Sequence, residues 1–252
     1  MKKYIIGWIG IISSVCSMAS GAFAAPLLSE SFDTLSTSNS NLFDTHLAAD
    51  HQVIDGKLIL FYSSTQQAGA SGIECTLPVA AAEPETRVME FHFLGGGSDM
   101  SNSLFIAYAV GPGQGLSLCP FPAGGKFDDR TGYIIRWIHH GDGTNEVKFY
   151  RNDTGWVKEL KNDWTLPANP VRFLRRVRIE HSRAGVHRIG SDFDTGSTFS
   201  RAYTFTDETY PPNNIQRRIQ IAAKGHTSTQ VIHQIYTDTW MVEDRPKIRS
   251  RR

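Results

Sequence analysis

The chain has 252 residues, a formal net charge of +1, 40% hydrophobic and 20% charged residues, and three cysteines. That composition excludes a disordered, collagenous or disulfide-dense miniature protein, and the near-neutral charge gives no support to a nucleic-acid partner. The charge is nevertheless uneven. Residues 25–170 carry 9 basic and 17 acidic side chains, net −8, and residues 171–252 carry 15 basic and 8 acidic, net +7.

In chain order, Lys2-Lys3, the apolar run Tyr4–Ile12 and Ala22-Phe23-Ala24 have the layout of a secretory signal peptide over residues 1–24. This predicts a mature chain starting near Ala25 that is secreted or periplasmic. No later stretch is apolar enough for a membrane span. Residues 25–244 read as one domain and 245–252 as a basic tail. Cys75 and Cys119 are the cysteines left after cleavage, and in an exported chain they are a candidate disulfide or two separate thiols.

From there on the pattern is β. Short β-branched and aromatic runs recur between Gly, Pro, Asn and Asp clusters, and no window holds a helical apolar period. The predicted strands are 53–62, 87–94, 104–110, 133–139, 146–151, 175–181, 201–205, 219–223 and 231–242. Alternation in 87–94 turns Met89, Phe91 and Phe93 to one face and Glu90 and His92 to the other. In 175–181, Val177 and Ile179 point inward. Leu104–Val110 is apolar throughout and reads as buried on both faces. The expected fold is an all-β antiparallel jelly-roll sandwich.

The segments Ser29-Glu30-Ser31-Phe32-Asp33 and His51–Leu58, with Asp55-Gly56-Lys57-Leu58 at a hairpin, resemble the opening of secreted concanavalin A-like domains. The segments Val177–Ile179, Asp207–Tyr210 and Gln230–Val242 are similar to that superfamily's late strands. The resemblance covers nearly the whole mature chain and implies a carbohydrate context, without choosing among its lectin, laminin-G-like, glycosidase and lyase branches.

The stretch 132–153 carries most of the candidate chemistry. Asp142-Gly143 is a two-residue turn signal. It would set His139 opposite Glu146, Trp137 opposite Lys148 and Ile135 opposite Tyr150. Tyr133, Ile135, Trp137 and His139 would then share a face with Glu146, Lys148 and Tyr150. Ile134, Ile138, Val147 and Phe149 would form the core side, with Arg136 out of place among them. Rings edged by hydrogen-bonding groups suit a sugar, whose C–H face lies on an aromatic plane while its hydroxyls need donors and acceptors. The candidate substrate-binding residues are Trp137, Tyr133, Tyr150, Lys148, Glu90 and His139. His139 and His140 point to opposite faces, and nothing nearby completes a zinc site.

Hydrolysis of a glycoside needs two flanking carboxyl groups, and the E-x-D-x-E pattern of the laminarinase-like branch is missing. Gly124-Gly125-Lys126, Arg136 and Tyr150 are faintly similar to family 14 polysaccharide lyases, although Lys148 stands where that family has the first Tyr of a Tyr-x-Tyr pair. β-Elimination needs a cation beside the uronate and a base for its C5 proton, and on this reading Arg136 or Lys148 neutralises the acidic sugar and His92 or Tyr150 is the base. Three expectations therefore stand: recognition of an extracellular polysaccharide, β-elimination on an acidic glycan, and a structural envelope or adhesion role. No catalytic cofactor is implied. Asp192-Phe193-Asp194-Thr195-Gly196 resembles a fragment of a calcium loop, which leaves a structural calcium open. Asn152-Asp153-Thr154 is a glycosylation sequon.

Overall fold

The computed structural model describes residues 27–32, 43–44, 51–54, 56–63, 70–80, 82–96, 102–112, 131–139, 145–153, 156–166, 176–192, 201–225 and 232–246. The signal-peptide segment, Cys119, Gly124-Gly125-Lys126, His140, most of the calcium-like loop and the end of the basic tail lie outside the described residues. So do the side chains of His139 and Asp192.

The described segments are strands joined by turns. They are β1 (Leu28–Glu30), β2 (Phe43–Asp44), β3 (His51–Ile54), β4 (Lys57–Ser63), β5 (Ala70–Thr76), β6 (Thr86–Gly96), β7 (Asn102–Val110) and β8 (Gly132–His139). Then follow β9 (Asn145–Asp153), β10 (Trp156–Leu166), β11 (Arg176–Ser182), β12 (Val186–Asp192), β13 (Arg201–Thr206), β14 (Arg218–Gly225) and β15 (Ile232–Arg245). No helix among the described residues is long and apolar enough to cross a membrane.

Two antiparallel sheets form. One runs β13-β12-β11-β6-β15-β4-β3, with β1 also on β15, and the other runs β10-β9-β8-β7-β14-β5-β2. The long β15 lies along β6 on one side, while β4 and β1 take its first and last residues on the other. Neighbours distant in sequence, such as β6–β15 and β7–β14, are what a jelly roll produces. The predicted strand 53–62 is a hairpin, β3 to β4, turning at Gly56 with φ 70°.

The core lies between the sheets. Val177, Ile179, Ile189, Phe91 and Trp240 of the eight-stranded sheet meet Ile106, Ile135, Trp137, Val147, Phe149 and Ile221 of the other. Trp240 is fully buried, with Phe32 and Phe91 edge-on at 5.6 and 5.7 Å, a favoured aromatic geometry. Cys119, the candidate disulfide partner, lies outside the described residues, and Cys75 is a buried free thiol in this core. Burial first, then Glu74 and Glu30, push its thiol up to about 12.

One irregularity shapes the seven-stranded sheet. Between Arg218↔Val110 and Gln220↔Ala107 the β7 strand carries an extra residue, and Ala109 there adopts φ 49°. Gly132 of β8 lies against this bulge. A Cβ on it would come within 3.1–3.2 Å of the backbone of Tyr108, Ala109 and Val110.

Candidate functional site

The register of β8 on β9 pairs His139 with Asn145, Trp137 with Val147, Arg136 with Lys148 and Ile134 with Tyr150. The connection is therefore residues 140–144, and the pairing is shifted by one residue from the two-residue turn expected at Asp142-Gly143. Because side chains alternate with period two, that single step exchanges the face of a whole strand relative to its neighbour.

The correction changes the site. Tyr133 and Trp137 point into the core with Val147 and Phe149, and only 1% and 6% of their surface is exposed, so neither offers a stacking platform to a ligand. Arg136, Lys148 and Tyr150 instead share the outer face of the seven-stranded sheet, together with Phe105 and Ile134. The misfit of Arg136 among core residues disappears.

On this outer face Arg136 is directly across from Lys148 on one side and from Phe105 on the other. Directly opposed side chains have Cβ atoms about 5 Å apart. The Arg136 guanidinium carbon lies 5.4 Å from the centre of the Phe105 ring, in cation–π range. Phe105, Ala107, Ile134 and Tyr150 are buried, while Arg136 and Lys148 are half-buried. Further along the sheet the same face carries Gln220 of β14 and Glu74 of β5. The Gln220 amide donates to Glu74, and Arg218 Nε stands 3.6 Å from the same carboxylate. Glu74 is the one carboxylate among the described side chains of this face.

Glu90 and His92 are not part of this set. They lie on β6, facing outward from the eight-stranded sheet, on the far side of the sandwich from Arg136. His92 Nε2 is 2.9 Å from Glu90 Oε1. Arg178 and Arg176 approach Glu90 at 3.6 and 3.9 Å, and Arg178 also donates to Glu180 at 3.1 Å. The hydrogen bond from His92, followed by the two arginines and against the opposing effect of burial, lowers the Glu90 carboxyl below its usual value. These groups make a cross-strand charge ladder on a solvated face. Asn152, the sequon acceptor, is buried and closed to attachment in the folded chain.

The inner face of β7, β8 and β9 holds a second polar group, which sequence reading did not assemble. His187 Nε2 bonds the Asp207 carbonyl at 3.0 Å, and a carbonyl only accepts, so Nε2 carries the proton. Nδ1 is then the acceptor, and the Tyr108 hydroxyl donates to it at 2.9 Å. Tyr133 donates to Asp207 Oδ1 at 2.8 Å and accepts from the Tyr210 amide at 3.1 Å. Arg151 donates to Asp207, to Thr209 at 2.8 Å and to Asp153 at 2.8 Å. The His187 ring stacks between His181 at 4.4 Å and Phe205 at 4.5 Å.

Burial holds His187 down at about 4, with Asp207 partly opposing it. Burial also drives His181 down to about 2, helped by His187 and Arg87. Burial would raise Asp207, but hydrogen bonds from Thr209, Tyr133 and Arg151 hold it at about 2. This network ties β7, β8 and β9 to β12 and to the segment after β13. No group of three or more metal-ligating side chains converges among the described residues.

No family model matches the chain, and no curated protein matches it in sequence. Solved structures do match in three dimensions. The exoplasmic/lumenal domain of VIP36, in its Ca2+/Man3GlcNAc-bound form, aligns with a TM-score of 0.55 at 14% identity over 83% of this chain and 85% of that one. LamAcat from Zobellia galactanivorans aligns with a TM-score of 0.54 at 10% identity over 88% and 99%. This is the concanavalin A-like jelly-roll fold. A further jelly roll, the carbohydrate recognition domain of Emp46p in potassium-bound form, aligns with a TM-score of 0.53 at 13% identity over 84% and 93%. At such identities the likeness concerns the fold and assigns no residue a role.

Proposed function

We propose that this chain is an exported protein that recognises an extracellular polysaccharide, and that it does so on the outer face of its seven-stranded sheet. The observation that carries the reading is the placement of Arg136 and Lys148 side by side, with Tyr150 on the same face. Two half-exposed cations on one face suit an anionic guest. The fold supports a sugar as that guest, since the VIP36 structure is bound to Man3GlcNAc and the Emp46p domain is a carbohydrate recognition domain.

A second reading, β-elimination on an acidic glycan, is favoured by the same three residues. Arg136 or Lys148 beside the uronate carboxylate would acidify its C5 proton. Tyr150, with 5% of its surface exposed, would have to be reached by the sugar and, as its phenolate, remove that proton; the freed electron pair would form the C4–C5 double bond, and the C4–O bond would break with its oxygen taking up a proton. Hydrolysis finds less support, because Glu74 has no carboxylate partner among the described side chains of this face. His92 is excluded as the base by its position on the other sheet.

Incubation of the mature protein with acidic and neutral polysaccharides separates the readings. Retention of the protein on an acidic polymer, lost in Arg136→Ala, is expected for recognition. Ultraviolet absorbance from unsaturated uronate ends would make the protein a lyase. No retention and no cleavage on any polymer would leave the structural envelope role.

A further inference from the structure

Two large aliphatic side chains remain in solvent among the described residues: Val79, 65% exposed, and Ile215, 69% exposed. They sit on two loops that are bonded to each other, one joining β5 to β6 and one joining β13 to β14. The Ala80 amide, next to Val79, donates to Asn214 Oδ1 at 2.9 Å, and the Asn214 side chain, next to Ile215, donates back to the Ala80 carbonyl at 3.0 Å. The Leu77 amide bonds the Arg217 carbonyl at 2.9 Å, and the Arg217 guanidinium bonds the Leu77 carbonyl. Asn213 Oδ1 accepts from the Ile215 and Gln216 amides and closes the tip. Val79 and Ile215 are therefore carried on one fixed platform.

The strand that leads into the basic tail reaches the same platform. Arg87 bonds Asp244 of β15 at 2.7 and 2.9 Å and extends to the carbonyls of Asn213 and Gln216. Past Arg245 the sequence is Pro246-Lys247-Ile248-Arg249-Ser250-Arg251-Arg252, in which residues 247–252 add four cations. The acids nearby are mostly paired: Asp244 with Arg87, Glu83 with Arg183, Glu243 with Arg245 and Asp207 with Arg151. Glu85 and Glu208 are the two acids at this end with no ion pair among the described residues.

We propose that this end of the sandwich docks on an anionic lipid membrane. The tail supplies the attraction to acidic headgroups, and Val79 and Ile215 are the wedge that enters the boundary between headgroups and acyl chains. An acidic polysaccharide would meet the cations equally well, but it offers no hydrocarbon layer in which to bury the aliphatic pair. The surface is separate from the outer face of the seven-stranded sheet and does not depend on what binds there.

Co-sedimentation of the mature protein with vesicles tests this, comparing mixed phosphatidylglycerol and phosphatidylcholine with phosphatidylcholine alone. The protein is expected to sediment with the anionic vesicles only, and to be released by salt. Deleting residues 247–252 should weaken partitioning by roughly fivefold for each charge removed. The double variant Val79→Ser, Ile215→Ser should weaken it by about tenfold or more, with unchanged thermal melting because both side chains are exposed. Vesicle binding that survives the double variant overturns the proposal, since charge alone then explains it. Absence of vesicle binding also overturns it. In that case, retention on polygalacturonate that is lost with the tail assigns the cations to a polysaccharide, and dimerisation that is lost in the double variant assigns the aliphatic pair to a second copy of the chain.

Discussion

Strands β7, β8 and β9 build two polar regions from alternate residues. On the inner face Tyr108, Tyr133 and Arg151 meet His187 and Asp207 in a chain of bonds where donors face acceptors. On the outer face Phe105, Arg136, Lys148 and Tyr150 gather two like charges beside aromatic rings. The inner set neutralises itself and locks one sheet to the other. The outer set concentrates positive charge and keeps it half-exposed. Exposure is thus the feature that separates the buried inner cluster from the half-exposed cations of the outer face, although the same backbone supports both.

The largest expected effect comes from opening the closed network. Asp207→Ala leaves the Arg151 charge and the Tyr133 hydroxyl without their shared carboxylate, and should cost about 3 kcal/mol, read as a lower denaturant midpoint. Polysaccharide retention by the folded fraction should be unaltered. If retention falls while stability holds, the two regions are not independent and the contrast between them fails.

Of these two regions, acid should act on the inner one. His187 and His181 titrate near 4 and 2 when folded, against about 6.5 when unfolded. As pH falls, the unfolded chain takes up protons first. The stability that these neutral histidines provide is therefore complete above about pH 6.5 and is lost toward pH 4, at about 1.4 kcal/mol per pH unit for each. Asp207, held low, adds to the loss only below its usual carboxyl range. Urea midpoints between pH 7 and 4 measure the slope. His181 Nε2 is buried without a hydrogen-bond partner, so His181→Phe should keep the stacking on His187 and remove one histidine's share of the slope. A slope unchanged in that variant would show that His181 is not held neutral.

The smallest stability effect belongs to the outer region. Lys148→Met should move the midpoint by no more than about 0.5 kcal/mol, while removing retention on acidic polymers. A large loss of stability instead would assign Lys148 to packing.

The all-β architecture and most strands were legible from alternation, because one-sided burial writes a period of two into the chain. The register of β8 on β9 was not. Asp142-Gly143 signals a turn, but it does not fix how many residues join the strands, and either register buries an apolar row. A signal was nevertheless present: Arg136 sat among core residues in the two-residue version, and a shift of one step pairs it with Lys148 and frees the core of charge. The inner network was out of reach, since Tyr108, Tyr133, His187 and Asp207 come from four separate segments and meet only through the packing of two sheets. Phe105 was legible as a buried strand residue, yet its relation to Arg136 depends on a strand pairing that periodicity alone does not give.

The bulge in β7 gives this arrangement an arithmetic. Before it, even-numbered residues of the strand face the core, and Tyr108 is the last of them; beyond it, Val110 faces out. The strand therefore behaves like a reading frame with one inserted position at Ala109. Loss of that residue would remove the bulge without moving the frame: Val110 would follow Tyr108 directly, still paired with Arg218 and still facing out. The bare face of Gly132 would no longer have a bulge to fit. A single-residue deletion at 109 should therefore keep the sheet register and cost the fit of Gly132 alone, while a deletion at 106 would turn the residues between it and the bulge to the wrong faces.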